Sequence, residues 1–134
     1  MKRMVLLVLA LSLIVAVFLP IHAQGLVTSP MWVDKLTLTQ QGKTHLGASA
    51  TVMGDIGNGP LRVSAAMVKL YLYKDGNLKA VFTGVSNNRG VVNFTYKLVA
   101  PISGVYTIEV ISLDDGIFVW DGARDTSTAT VTIN

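Results

Sequence analysis

The 134-residue sequence contains no cysteine. That absence excludes thiolate nucleophiles, structural zinc held on sulfur and disulfide switching, and it leaves packing alone to stabilise the fold. Because no cysteine follows the leading apolar run, a lipidated N-terminus is excluded as well. Charged residues make up only 14% of the chain, and histidine occurs twice, at His22 and His45. After residue 25 no stretch keeps apolar residues at helical spacing for two full turns, so that region reads as strands and turns.

What is present begins with Met1-Lys2-Arg3 and a run from Met4 to Leu19 that is apolar except for Ser12. Pro20 closes the run before Ile21-His22-Ala23-Gln24-Gly25. A basic start, an apolar middle and a small-residue exit predict a signal peptide over residues 1–25, cleaved after Ala23 or Gly25. The run falls short of the roughly 18 to 20 residues a spanning helix needs, although an uncleaved anchor is the alternative. The expected destination is secretion or the cell envelope, with membrane contact only through this segment if it is retained. Residues 26–134 carry nine Lys/Arg against eight Asp/Glu, so the basic excess of the whole chain belongs mostly to the leader. There is no basic stripe and no cluster of Arg/Lys interleaved with aromatics, which excludes nucleic acid as a partner. The remaining length suits one domain with a single core.

That domain is written in a period of two. Leu46, Ala48, Ala50 and Val52 form one apolar row, and Ala66, Val68, Leu70 and Leu72 form another, with Met67, Lys69, Tyr71 and Tyr73 on the opposite face. The pattern returns in Val92, Phe94, Tyr96 and Leu98, in Tyr106, Ile108 and Val110, and in Ala129, Val131 and Ile133. Weaker strands are expected around 33–39 and 78–83. Between the rows lie Asp55-Ile56-Gly57-Asn58-Gly59-Pro60, Lys74-Asp75-Gly76-Asn77, Asn87-Asn88-Arg89-Gly90, Pro101-Ile102-Ser103-Gly104 and Asp114-Asp115-Gly116. Such steps tolerate the positive φ that hairpins require, so Asn87–Gly90 is expected to close a hairpin, with Arg89 solvated. Short strands at regular intervals predict an all-β antiparallel sandwich of about seven strands.

Several of these stretches resemble bacterial immunoglobulin-like and fibronectin type III-like domains. Asp55 to Leu61 is similar to their D-x-x-G-N-P-V turn, and Ala66-x-Val68-x-Leu70 to the strand that follows it. Thr83 to Gly90 with Val92-x-Phe94 resembles a hairpin of the family, and Ser103 to Val110 resembles its G-x-Y-x-x-x-V strand. The resemblance implies an immunoglobulin-like sandwich over residues 26–134, a tyrosine at the sandwich corner at Tyr106, and a secreted binding or spacer module that is not an enzyme.

Four groups of residues could carry function. Tyr71, Tyr73 and Trp120, with Trp32, are aromatics able to face outward, where flat amphipathic rings suit a protein interface or a sugar face. The alternative is that other side chains cover them, or that Trp120 belongs to the core. Asp114, Asp115, Asp121 and Asp125 form the densest acidic segment, and carboxylates on a flexible loop suit calcium, although the spacing does not fit an EF-hand. A solvated loop is the alternative, and no other cofactor is expected. His45 has no nucleophile elbow or paired acid in its vicinity, which makes it an exposed polar residue. Asn93-Phe94-Thr95 matches a glycosylation sequon by chance, with Asn93 pointing outward. The expected partner is a protein or a glycan at the cell surface, the glycan reading using Tyr71, Tyr73 and Trp120.

Overall fold

Alternation over one buried face turns these rows into strands. A computed structural model describes residues 29–134, and the expected signal segment lies outside the described residues. Nine strands follow in chain order: β1 (Pro30–Gln41), β2 (His45–Asp55), β3 (Pro60–Arg62), β4 (Met67–Lys74), β5 (Asn77–Val85), β6 (Val91–Lys97), β7 (Gly104–Asp114), β8 (Val119–Trp120) and β9 (Thr128–Ile133). A single 3-10 turn at Gly122–Arg124 is the only helical element among the described residues.

The strands form two sheets. In the first, β2 pairs with β1 along one edge, while its other edge is shared by β6 and the short β3. In the second, the order is β5-β4-β7-β9 and every pairing is antiparallel. Leu46, Ala48, Ala50 and Val52 from the first sheet meet Val68, Leu70, Leu72, Tyr106 and Ile108 from the second in one continuous core. The expected all-β sandwich is therefore observed, its seven principal strands lying where alternation placed them.

Three expectations need correction. Two further strands exist, β3 and β8, whose three and two residues are too short to display alternation. The sandwich is not wholly antiparallel, because β8 pairs in parallel with β1 through Pro30↔Val119 and Met31↔Trp120. Asn87–Gly90 does not close a hairpin: β5 lies in the second sheet and β6 in the first, so the turn carries the chain across the sandwich. Its local chemistry is still that of a turn. Asn87 Oδ1 accepts from the Arg89 and Val91 N–H groups, at 2.9 and 3.1 Å, and Gly90 has φ +74°. A Cβ on Gly90 would stand 2.7 Å from the Val52 carbonyl oxygen, so both conformation and space select glycine.

Tyr106 fixes another crossing, from β6 to β7. Its ring is buried, and its hydroxyl donates to the Ile102 carbonyl at 2.8 Å, four residues upstream. Burial and the Asp75 carboxylate both push this phenol above its ordinary pKa, so it stays a donor at any physiological pH.

Candidate functional site

The β5-β4-β7-β9 sheet turns one face to the core and the other to solvent, and register assembles the outer face row by row. Tyr71 on β4 stands between Val81 on β5 and Glu109 on β7, and Met67 stands between Val85 and Asp114. Lys69 lies between Thr83 and Ser112, with its ammonium 5.7 Å from the Tyr71 ring centroid. Toward β9 the face becomes hydroxylic, where Thr107 and Thr130 pair across the strands at 3.1 Å.

The two tyrosines expected on this face are there, with ring centroids 6.3 Å apart and planes at 65°. Burial and the neighbouring Glu109 carboxylate raise the Tyr73 pKa, which keeps the phenol neutral. Val81, beside Tyr71, is 50% exposed, and Met67 and Val85, paired beyond the Lys69–Thr83 row, are 51% and 57% exposed. The face is therefore apolar on its β5 side and polar on its β9 side. Val81 and Val85 escape sequence reasoning because β5 alternates weakly: Ala80, Phe82 and Gly84 face inward as a small, a large and an absent side chain. Phe94 packs so close to Gly84 that a Cβ there would come within 2.8 Å of its ring.

Trp120 does not join this face. It sits on β8 of the other sheet, packs against the core, and donates its indole N–H to Asp125 Oδ2 at 2.8 Å. Trp32 is buried beneath the Arg124 guanidinium, 3.7 Å above its ring, so neither tryptophan is a free outward platform. Both belong to a seam that stitches the start of β1 to residues 119–126. Within it Asp125 Oδ1 accepts the Val33 N–H at 2.7 Å, the Thr126 N–H donates to the Val33 carbonyl at 2.7 Å, and the Asp121 N–H donates to the Met31 carbonyl at 2.8 Å.

The acidic segment uses much of its carboxylate oxygen on its own backbone and on the seam. Asp114 Oδ1 accepts the Gly116 N–H, and Asp115 Oδ1 accepts the N–H groups of Ile117 and Phe118. Asp125 commits both oxygens to the seam, and Asp121 opens the 3-10 turn. Among the described residues no three His, Cys, Asp or Glu side chains gather as a ligand set. Asp114 and Asp115 thus hold their own turns and Asp125 holds the seam, while the Asp121 side chain makes no capping hydrogen bond. Burial pushes the Asp125 carboxyl above its usual range, opposed by the two N–H donors and reinforced by Asp121.

His45 opens β2, where its Nδ1 and the Thr44 hydroxyl share a 2.8 Å hydrogen bond. Asn93 is exposed on β6, between the inward Val92 and Phe94. Arg89 is exposed in the crossing turn, and its carbonyl accepts from the Arg62 guanidinium at 2.9 Å. No protein-family model, curated protein or solved structure matches the chain.

Proposed function

We propose that this chain is a secreted, non-catalytic immunoglobulin-like module that binds a protein partner at the cell surface or in the envelope, through the outer face of the β5-β4-β7-β9 sheet. One observation carries the reading: the outer face bears the Tyr71–Tyr73 pair with exposed Val81 beside Tyr71, and on the same two strands, beyond Lys69 and Thr83, the exposed Met67–Val85 pair. Soluble domains scatter exposed apolar side chains singly, whereas contiguous ones mark interaction sites. Tyrosine and methionine are enriched where proteins meet.

The immunoglobulin-like type is supported by strand order and by Tyr106. Strands β1, β2 and β6 on one side and β5, β4, β7 and β9 on the other follow the Greek-key arrangement of such sandwiches. The Tyr106 hydroxyl reaching back to Ile102 has the form of their tyrosine corner. The non-catalytic part rests on His45, whose hydrogen-bonding neighbour is Thr44 rather than a carboxylate. A protein partner is favoured over a glycan because the 65° between the tyrosine planes lets only one ring lie flat on a sugar face, and Trp120 is not beside them.

A photo-crosslinking residue at Val81, expressed in the producing cell, is expected to trap a partner that the same residue at Thr132 does not. Adding Tyr71→Ala should remove the adduct while the purified variant melts normally. Absence of a Val81-specific adduct would sink the reading. Retention on polysaccharide that Tyr71→Ala abolishes would transfer the site to a glycan.

A further inference from the structure

At the end of the sandwich opposite the crossing turn, the β4–β5 hairpin and the β6–β7 link border an open cavity of about 300 Å³. Its wall includes Lys74, Lys79, Tyr96, Val99, Pro101 and Tyr106, none of which belongs to the Tyr71–Val81 patch. The volume is at the low end of ligand cavities, which suits a body of about one amino-acid residue.

The wall is apolar with two cations. Lys74 and Lys79 are among its lining residues, and no Asp or Glu is. Lys74 is held in place, donating from Nζ to the Pro101 carbonyl with its ammonium 5.6 Å from the Tyr106 ring centroid. An ammonium has three N–H groups, so two remain for a ligand. Asp75 lies alongside; its Oδ1 accepts the Val105 N–H at 2.9 Å, and its charge offsets part of the field of Lys74, which makes Lys79 the more telling cation to remove. The Tyr106 hydroxyl is likewise committed, to Ile102, so this residue offers its ring. Tyr96 is oriented by an edge-to-face contact with Phe82, centroids 6.5 Å apart, and Val99 stands at the rim 68% exposed. The side chains of Val99, Ala100 and Pro101 supply no hydrogen-bonding group, so hydroxyls lying against that side would lose hydration without replacement.

We infer that this cavity binds a carboxylate carried on an apolar body, its charge paired with Lys74 and Lys79 and its body against Tyr96, Val99 and Pro101. The site is independent of the sheet face, and either can fail without the other.

Titration of the ¹⁵N-labelled protein at low salt with N-acetylvaline, N-acetylvalinamide and galacturonate tests it. N-acetylvaline is expected to shift the Ala100, Ser103 and Val105 amides with a dissociation constant of ~1–10 mM, the range a fragment of this size reaches. Lys79→Met should weaken it about tenfold, as loss of one charge-assisted contact does. Because Lys79 is exposed, that variant should melt with the parent, whereas Lys74→Met also removes the Pro101 contact. Equal binding of the amide would overturn the charge pairing, and equal or better binding of galacturonate would overturn the apolar body. Absence of shifts at ~50 mM, several times that dissociation constant, would overturn the site.

Discussion

Both oxygens of Asp125 are occupied, one by the Val33 N–H and the other by the Trp120 indole. Asparagine has a single acceptor oxygen, so Asp125→Asn leaves one donor facing an amide NH₂ and should cost about 1–3 kcal/mol in urea unfolding. The pH dependence has a definite sign. The folded-state pKa lies above the ordinary carboxylate value, so on acidification the native state takes up this proton before the unfolded chain does. The contribution of Asp125 to stability is therefore largest in acid, falls as pH rises from the unfolded to the folded pKa, and is flat above. The unfolding free energy of the parent minus that of Asp125→Asn should narrow between acid and neutral pH; a gap that widens would contradict burial as the main cause. The sequence shows Asp125 only as one member of an acidic run. Its partners Val33 and Trp120 are brought to it by β1 and β8, and no local spacing announces them.

Among the elements, the links decide as much as the strands. Ser86 follows β5 and is buried, 4% exposed. Its hydroxyl donates to the Val63 carbonyl at 2.7 Å and accepts the Ala66 N–H at 3.0 Å, which ties the β3–β4 link to the β5–β6 crossing. Ser86→Ala leaves two buried backbone groups unpaired and should destabilise by about 1–3 kcal/mol, measured as a lower urea midpoint at unchanged slope. Asp75-Gly76 was readable as a hairpin because both residues take positive φ, 50° and 80°, and the turn itself aligns β4 with β5. Asn87–Gly90 uses the same residue types for another end. Its Asx hydrogen bonds are local, but the choice of β2 rather than β5 as the partner of β6 is made by burial of Val92 and Leu98 across the sandwich.

At the scale of the whole molecule the described residues share one continuous core, and no cysteine is available to cross-link it. The domain should unfold in a single cooperative transition that reducing agent leaves unchanged. Millimolar calcium or EDTA should leave the melting temperature within about 1 °C, since a ligand raises stability only by binding the folded state. A calcium-dependent rise of several degrees would mean that Asp114, Asp115, Asp121 and Asp125 rearrange to meet an ion. By itself the sequence determined the all-β class, the seven principal strands and their inward faces, because alternation and turn conformations depend on residues two to four apart. It also placed Tyr71 and Tyr73 outward, by their parity against Val68, Leu70 and Leu72. The tertiary structure alone decided which sheet each strand joins and that Trp120 closes a seam rather than a binding face. It alone set Val81 beside Tyr71 and brought Lys74 and Lys79 to the wall of one cavity. Those outcomes depend on contacts between residues far apart in the chain, whose energies are settled only when both sheets bury their faces together.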